Sequence, residues 1–427
     1  MSGADSRRAA AELLIETLER RRTLDEALET ATAFNALQGS DRAFARAMAS
    51  AALRQLGRID AGLAPFLNRS LDETGPEPRA LLRVGAAQLW LMDTPGHAAV
   101  GETVAAAKSW RAAAPASGFL NAVLRRAASD RTAFEAAPAL AVWPDWLQRA
   151  MVDSLGRDGA DALAQAQAAP PRLHLIPKDG DAVGLAQRFG GETRSEDVVA
   201  LADPGPIEAL PGYADGDWWV QDAAAALPAR LLSAQPGERV FDLCAAPGGK
   251  TLQLAAAGAD VVAVDRSAAR LKRLRENLSR AKLAGEVQVV QAELSAWRPD
   301  APADKILLDA PCSALGTLRR HPEGAWIKSP GDVARYPKVQ SELLKAAAAC
   351  LKPGGTLVYC VCTPLRAEGC DVVDAAVEGG EFVRAPIASA EAPGFETVIT
   401  PKGDALTLPR GGADCDAFYM ARLRRTA

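Results

Sequence analysis

The sequence predicts a protein of two main parts, an all-helical N-terminal region followed by an α/β domain built on a parallel sheet. Three observations predict this architecture. Apolar residues recur at helical spacing over about residues 5–130, without a strand-like run. From about Asp222 onward, short apolar runs typical of strands alternate with helical segments. The chain also has 427 residues, more than one ordinary domain needs.

The helical region is predicted over residues 1–135. The segments "AAELLIETLE", "RAFARAMASAALRQL", "PRALLRVGAAQLWLM" and "SGFLNAVLRRA" carry apolar residues at helical spacing and predict a bundle of four to six helices. Residues 136–221 are predicted to form a connector with a small α/β subdomain. In it, an amphipathic helix opens after Pro144 and the strand-like runs "RLHLIP" and "VVALAD" follow.

The α/β domain is predicted over residues 222–427. The strand-like runs "RVFDLC", "DVVAVD", "VQVVQ", "KILLDA" and "TLVYCVCT" alternate with helical segments, which predicts a parallel sheet with helices on both faces. The late runs "FETVIT" and "FYMARL" are expected to add edge strands.

The composition predicts a globular protein of a reducing compartment. Hydrophobic residues make up 48% of the chain, but no run of about 18 apolar residues occurs. The N-terminus "MSGADSRRAA" lacks the apolar core of a secretion signal. The seven cysteines are odd in number and contain no C-x-x-C pair, which speaks against a disulfide framework or a zinc site. We therefore expect a cytoplasmic protein with free thiols, no membrane span and no metal.

The net charge of −4 and the pI of about 5.7 speak mildly against a nucleic-acid partner when taken alone. Basic residues are nevertheless clustered, and each cluster by itself is typical of a solvated helix face. A local basic groove is enough to bind RNA even on an acidic protein. The clusters are Arg20–Arg22, Arg125–Arg126, the group Arg270, Lys272, Arg273 and Arg275, and Arg319–Arg320.

The stretch "RVFDLCAAPGGKT" ends in Gly-Lys-Thr but does not fit a phosphate-binding loop. Cys244 stands where a P-loop has its first glycine, and Pro247 has no N–H to donate. The three spaced glycines of dinucleotide-binding folds are absent as well. What remains is a strand, a tight turn and a helix, which predicts a nucleoside-binding turn without a phosphate cradle.

Several polar residues follow the predicted strands, and ligands bind beyond the carboxyl ends of strands in an open α/β sheet. Asp265, at the end of the second strand, is placed to accept hydrogen bonds from ribose hydroxyls. An acid of this kind without a phosphate cradle suits S-adenosylmethionine. The residues predicted at this edge are Asp242, the loop Cys244–Lys250, Asp265, Glu293, Asp309, Pro311, Cys312 and Cys362.

Two thiols on neighbouring strand ends, Cys312 and Cys362, suggest covalent chemistry beside Asp309. Carbon 5 of a pyrimidine is a poor nucleophile, but a thiolate added to carbon 6 turns the ring into an enamine that can attack a methyl sulfonium. Asp309 is suited to protonate ring nitrogen 3, and the second thiol to assist release. Cys350, Cys360 and Cys370 are interpreted as inert small hydrophobic residues.

The runs "DLCAAPGGKT", "DAPCSALG" and "LVYCVCTP" resemble the motifs of RNA (cytosine-5)-methyltransferases of the RsmB/Nop/Sun family. "RRHPEGAWIK", "KPGGTLVY" and "WVQDAAA" also lie where that family has similar stretches. The N-terminal region, with "GFLNAVLRR", resembles the NusB-like domain of bacterial members that act on 16S rRNA. The resemblance covers most of the chain and implies a NusB-like RNA-binding bundle followed by a Rossmann-like class I methyltransferase domain.

The resemblance also implies roles for individual residues. Cys362 matches the nucleophile, Cys312 the cysteine that helps release the product, and Asp309 the aspartate that contacts the target base. Because DNA cytosine methyltransferases use the Pro-Cys cysteine as nucleophile, the two thiols exchanging roles stays an alternative. The residues that match cofactor contacts are Cys244, Ala245, Ala246, Pro247, Gly248, Gly249, Lys250, Asp265, Arg270, Glu293 and Asp309.

The implied activity is methyl transfer from S-adenosylmethionine to carbon 5 of a cytidine in 16S rRNA or in a small-subunit assembly intermediate, by a monomer. The chain departs from the family at Glu293, where Asp is usual, at Thr363, where Ser is usual, and at Gly369, where Asn follows the Glu. A non-catalytic RNA-binding assembly factor and a small-molecule methyltransferase are the alternative functions.

Overall fold

The computed structural model describes residues 3–202, 205–395, 398–409 and 414–426. These residues form two compact units. The first comprises the chain up to Pro170 together with Leu318–Pro330, and the second comprises Pro171–Thr317 and the chain from Gly331 onward. The finer division at residues 135 and 221 remains a prediction.

The first unit confirms the all-helical N-terminal region. Its described helices outnumber the four to six predicted, because segments shorter than two turns are too short to show a helical period. Beyond residue 136 the described part of this unit continues with a 3-10 helix at Ala139–Val142, the helix that opens after Pro144, and the short helix Gly324–Ile327. The helices are α1 (Gly3–Leu18), α2 (Leu24–Thr30), α3 (Thr32–Asn35), α4 (Gly39–Arg54), α5 (Leu56–Leu63), α6 (Pro76–Leu91), α7 (Gly96–Ser109), α8 (Ser117–Ser129), α9 (Thr132–Ala136) and α10 (Asp145–Ala168).

Local sequence explains where these helices begin and what they bury. Thr23 caps α2 through a reciprocal capping box with Glu26, and Pro76 occupies the first position of α6, where its missing N–H is not needed. Leu13, Leu53 and other apolar side chains on the inner faces are fully buried in one core. Burial of these faces is the main source of stability for such short helices.

A short segment from the later part of the chain, Leu318–Pro330, belongs to this helical unit. Glu323, which is buried, accepts a hydrogen bond from the backbone N–H of Leu24 at 3.2 Å. The guanidinium of Arg21 donates to the carbonyl of Ile327 at 2.7 and 2.9 Å. No pattern in the sequence distinguishes this stretch from the α/β domain on either side of it.

The connector region contains a small antiparallel sheet in which the strand order is β2-β3-β1-β4. The strand-like runs "RLHLIP" and "VVALAD" supply the first and third strands. Trp218 is fully buried and packs edge-on against Phe189, with 6.0 Å between ring centroids. The elements are β1 (Leu173–Pro177), α11 (Ala182–Phe189), β2 (Glu192–Ser195), β3 (Val198–Leu201) and β4 (Trp218–Val220).

The remaining elements build an eight-stranded mixed sheet in the order β10-β12-β9-β8-β5-β6-β7, with β11 paired to β12. Strands β5 to β9 are parallel, and β10 to β12 join antiparallel. The elements are α12 (Ala223–Leu232), β5 (Arg239–Leu243), α13 (Gly249–Ala256), β6 (Asp260–Asp265), α14 (Ala268–Arg280), β7 (Val287–Gln291), β8 (Ala303–Asp309), α15 (Gly324–Ile327, in the first unit), α16 (Pro330–Ala334), α17 (Tyr336–Cys350), β9 (Leu351–Val361), α18 (Cys370–Glu378), β10 (Phe382–Arg384), β11 (Ala405–Thr407) and β12 (Phe418–Arg425).

Helices cover both faces of this sheet, as predicted. Successive residues of β5 point to opposite faces, so Val240 packs with α12, α13 and α14, whereas Phe241 packs with α17 and α18. The expectation that "FYMARL" forms an edge strand is wrong, because β12 lies between β9 and β10. The run "FETVIT" lies partly outside the described residues, and its Ile399 forms a single bridge with Ala405.

Candidate active site

The carboxyl ends of the parallel strands bring most of the predicted site residues to one cavity of about 670 Å³. Asp265 ends β6, Asp309 ends β8, and Cys362 follows β9. The cavity lies wholly within the second unit. It is lined by Cys244, Val264, Asp265, Arg266, Arg270, Ala292, Glu293, Leu294, Asp309, Ala310, Pro311, Cys312, Ala314, Arg335, Tyr336, Val339, Leu343 and Cys362.

The loop between β5 and α13 is a compact turn, not a phosphate cradle. Cys244 and Gly248 both have positive φ angles, of 62° and 108°, and the Ala246–Pro247 peptide bond is cis. A side chain at Gly248 would lie 3.1 Å from Leu274, so glycine allows both the backbone angle and the close packing of α14. Cys244 lines the cavity, whereas the other predicted residues of the loop are not among its lining.

Asp265 ties this loop to the end of β6. Its buried carboxylate accepts hydrogen bonds from the N–H groups of Ser267 at 2.9 Å and of Ala246 at 3.2 Å. Arg270 lies 3.3 Å from the same carboxylate and also donates to the carbonyl of Ala246. Three donors therefore fix the orientation of Asp265, and its remaining lone pairs can accept from a ligand in the cavity.

Glu293 follows β7 and is held less firmly. Its side chain is 53% exposed and lies 4.0 Å from the guanidinium of Arg266. The longer side chain found here instead of Asp is thus free to reach into the cavity that it lines.

Asp309 stands between a buried cation and a thiol. The ammonium of Lys250 donates to Oδ2 of Asp309 at 2.8 Å, and Sγ of Cys360 lies 3.5 Å from Oδ1. Burial lowers the pKa of Lys250, but the charge and hydrogen bond of Asp309, together with the electrostatic effects of Cys360 and Asp242, outweigh this effect and the net shift is upward. Burial and Asp309 raise the pKa of Cys360, so Lys250 stays charged and Cys360 stays a thiol.

The two thiols singled out by the sequence lie side by side, with 3.3 Å between Sγ of Cys312 and Sγ of Cys362. The hydrogen bond with Cys362, followed by burial, raises the pKa of Cys312 well above its usual value. Burial and the surrounding carboxylates raise the pKa of the third thiol of the cavity, Cys244, to about 12. Cys312 is therefore held as a protonated thiol against the sulfur of Cys362.

Backbone contacts fix the two thiol-bearing loops to each other. The N–H of Gly316 donates to the carbonyl of Cys362 at 2.9 Å, and the N–H of Ala417 donates to the carbonyl of Gly316 at 3.0 Å. A Cβ atom on Gly316 would lie 1.8 Å from the carbonyl oxygen of Ala417. The close approach of three chain segments thus requires glycine at this position.

Four other lining residues were not predicted from the sequence. They lie in the first half of α17 or just before it, and they are Arg335, Tyr336, Val339 and Leu343. Their spacing indicates a helix but not the surface that the helix faces. Val339 is 38% exposed, so it lies at the open side of the cavity that it lines.

The departure at Gly369 has a local explanation. A Cβ atom there would lie 2.8 Å from the ring of Tyr419, so an asparagine would not fit this backbone without displacing the ring. Among the described residues, no group of three or more His, Cys, Asp or Glu side chains is placed to hold a metal ion. Within the same ranges, no helix combines the length and the hydropathy needed to cross a bilayer.

The fold and the site define a Rossmann-like methyltransferase domain that follows a NusB-like helical region. The profile of the family described as 16S rRNA methyltransferase RsmB/F matches residues 229–424, and the NusB family profile matches residues 4–129. The chain belongs to the RsmB/F family of 16S rRNA methyltransferases.

Relatives extend over the full length of the chain. Ribosomal RNA small subunit methyltransferase B of Pseudomonas syringae pv. tomato is 36% identical, over 99% of this chain and 97% of its own. The protein of that name in Xanthomonas campestris pv. campestris is 34% identical, over 100% and 98%.

Solved structures show the same fold. PH0851 superposes with a TM-score of 0.76 at 22% identity, over 99% of both chains. NSun6 from Pyrococcus horikoshii, solved with SFG, superposes with a TM-score of 0.57 at 18% identity, over 66% of this chain and 98% of its own.

Replacing Gly316 by alanine is expected to destabilise the second unit by about 2–4 kcal/mol, because the new methyl group forces the Ala417 strand away from the thiol-bearing loops. Urea unfolding followed by circular dichroism measures the loss. Gly285→Ala is the matched control, since nothing lies within 4 Å of a Cβ atom at that position. Equal unfolding midpoints for the two variants would contradict the close approach.

Asp242 gives a second prediction. It is fully buried behind the loop, where Thr251 donates to Oδ2 at 2.5 Å and Oδ1 has no hydrogen-bond partner among the described residues. Burial raises the pKa of Asp242 to about 7, so between about pH 4 and 7 the native state binds one more proton than the unfolded chain does. Native stability from this group is present at low pH and is lost as the pH rises through that window.

The variant Asp242→Asn does not titrate at this position. Relative to the wild type, its free energy of unfolding should increase with pH by up to about 1.4 kcal/mol per pH unit between pH 4 and 7. Urea unfolding of both proteins at several pH values measures the difference. A difference that stays constant with pH would show that Asp242 is ionised in the native state.

Proposed function

We propose that this protein transfers a methyl group from S-adenosylmethionine to carbon 5 of a cytidine in 16S rRNA, through a covalent bond to Cys362. The observation that carries the proposal is the thiol pair Cys312–Cys362, 3.3 Å apart, on the same cavity as Asp309. Relatives named ribosomal RNA small subunit methyltransferase B support the choice of RNA as substrate.

The cavity suits S-adenosylmethionine in size and donor chemistry. Its volume of about 670 Å³ falls in the range of small-molecule sites, and a buried, oriented carboxylate lies on its wall. Bound there, S-adenosylmethionine would supply an electrophilic methyl group. The lining residues that would hold it are Cys244, Asp265, Arg270, Glu293 and Asp309, and the resemblance adds the rest of the loop, Ala245–Lys250.

The residues of the chain divide the remaining chemistry among them. The thiolate of Cys362, its proton having passed to solvent, forms a bond from Sγ to carbon 6 of the cytosine. Asp309 relays to ring nitrogen 3 a proton from the ammonium of Lys250, which is hydrogen-bonded to it. The ring electrons thereby gather at carbon 5, which becomes the nucleophile for the methyl group.

Release of the product reverses the addition. A solvent water takes the proton from carbon 5, and ring nitrogen 3 returns its proton to Lys250 through Asp309. The double bond between carbons 5 and 6 re-forms, and the bond from carbon 6 to Sγ of Cys362 breaks with its electron pair returning to sulfur. Cys312, protonated and 3.3 Å away, is placed to give a proton to that sulfur. Cys312 regains from solvent the proton that it gives in this step. The roles are assigned as the resemblance to the RsmB/Nop/Sun motifs implies, with Cys362 as the nucleophile and Cys312 as the residue that assists release.

The target cytidine has to be unpaired or flipped out, because stacking in a helix hides carbon 6. The NusB-like unit is proposed to bind the RNA, with the protein working as a cytoplasmic monomer. The cluster Arg20–Arg22 is a weaker candidate for phosphate contacts than its sequence suggests, because Arg20 and Arg22 pair with the buried Glu16. Arg273 and Arg275 on α14 are exposed and are better placed to meet phosphates.

Replacing each thiol in turn by alanine distinguishes the nucleophile from the residue that assists release. Cys362→Ala is expected to lower methyl transfer at least about a thousandfold and to form no covalent protein–RNA adduct. Cys312→Ala should form the adduct and accumulate it, because release is slowed. Labelled S-adenosylmethionine with unmodified 16S rRNA measures transfer, and denaturing gels measure the adduct.

Cys370→Ala is the control, since this thiol lies on α18 outside the cavity and should leave both readouts unchanged. An adduct formed by Cys362→Ala but not by Cys312→Ala would reverse the assigned roles. Normal RNA binding by the wild type without any transfer would instead favour a non-catalytic assembly factor.

A further inference from the structure

A buried carboxylate that no step of the proposed reaction uses, Glu368, lies in the loop after β9. Its side chain is fully buried, and Oε2 accepts hydrogen bonds from the backbone N–H of Ser313 at 2.7 Å and from Nε2 of Gln340 at 3.2 Å. The hydroxyl of Tyr359, also fully buried, donates to the carbonyl of Glu368 at 2.6 Å. Glu368 is therefore fixed to β9 at its backbone and to the neighbouring loop at its side chain.

The contacts of Glu368 and Gln340 enclose Cys312 from both sides. Nε2 of Gln340 also donates to the carbonyl of Pro311 at 3.0 Å, while Glu368 holds the N–H of Ser313. The peptide groups just before and just after Cys312 are thus held by one small network. Hydrogen bonds to a charged carboxylate are shorter and about twice as strong as neutral ones, which suits a part that must not move.

The same network reaches the second thiol. The hydroxyl of Ser313 is hydrogen-bonded to that of Thr363 at 3.1 Å, next to Cys362 in the chain. Glu368 is six residues beyond Cys362 on the same loop. The carboxylate therefore bridges the loop of one thiol to the loop of the other, where the two sulfur atoms lie 3.3 Å apart.

We propose that Glu368 is a positioning residue that, with Gln340, holds Cys312 within proton-transfer distance of Cys362. The catalytic consequence, efficient release of the methylated base, rests on the proposed function. The groups that face the Cys312 thiol fit this role. They are Cys362, Glu368 and Tyr359, and the hydrogen bond with Cys362, burial, and the charges of Cys362 and then Glu368 raise the pKa of Cys312.

The distance between the thiols can be tested without RNA. Diamide takes up two electrons and two protons from a thiol pair, giving a disulfide and the reduced reagent, and the rate depends on how readily the two sulfur atoms come within bonding distance. Glu368→Gln, which keeps the shape but removes the charge, and Gln340→Leu, which removes both donors, are expected to slow formation of the Cys312–Cys362 disulfide roughly tenfold. Mass spectrometry of alkylated peptides identifies the pair.

Asp404→Asn is the matched control for general loss of stability. Asp404 is a buried carboxylate of the same unit, paired with Arg384 and Tyr419 and absent from the cavity lining. It should lower the unfolding midpoint yet leave the rate of disulfide formation within about twofold of the wild type. Wild-type rates for both Glu368→Gln and Gln340→Leu would overturn the proposal.

Steady-state and single-turnover assays then test the catalytic consequence. In Glu368→Gln, kcat is expected to fall at least about tenfold with KM for RNA nearly unchanged, and the covalent adduct should accumulate as in Cys312→Ala. A raised KM with unchanged kcat would instead place Glu368 in RNA binding and refute the role. If the wild type forms no adduct and transfers no methyl group, the proposed function fails, and the disulfide rates still decide whether Glu368 positions Cys312.

Discussion

The pairing of the parallel strands β8 and β9 is the constraint on which the candidate site depends. Their register sets Asp309 opposite Cys360, so the loops that follow the two strands leave the sheet together. One loop carries Cys312 and the other carries Cys362. Neither thiol lies on a helix or strand, so the short distance between them is set by the paired carboxyl ends of β8 and β9. The contacts of Gly316 and Glu368 hold the two loops together.

A second constraint is the concentration of carboxylates at the same edge. Asp265 and Asp309 end two strands, and Asp242 is the last residue but one of β5, which lies between them. Each carboxyl group has different partners. Asp265 is held by backbone N–H groups and Arg270, Asp309 by Lys250, and Asp242 by one hydroxyl in a fully buried position. Burial, followed by the charges of Asp309 and Asp265, raises the pKa of Cys244. Cys244, which follows β5, is thereby kept as a protonated, unreactive thiol.

Much of this arrangement was predictable because it follows from local rules. The strand–turn–helix around Cys244–Lys250 follows from a tight turn between an apolar run and a helical one, and the approach of Cys312 to Cys362 follows from the common edge of parallel strands. The position of β12 inside the sheet could not be predicted, because the residue pattern of such a strand does not distinguish an edge position from an interior one. Gln340 and the lining residues of α17 were missed because helical spacing does not reveal which neighbour a helix faces.

Leu318–Pro330 shows that chain order and spatial grouping differ in this protein. The chain runs from the α/β unit into the helical unit only six residues after Cys312 and returns at Gly331, so it passes between the units three times. Neither unit can therefore be produced as one continuous fragment. A truncation that begins at Pro171 retains Leu318–Pro330 but removes the N–H of Leu24 that donates to Glu323 and the guanidinium of Arg21 that donates to Ile327. Leu318–Pro330, which follows the loop of Cys312, thus folds with the NusB-like region. Gene fusions or domain exchanges have to keep the chain intact at both ends of this segment.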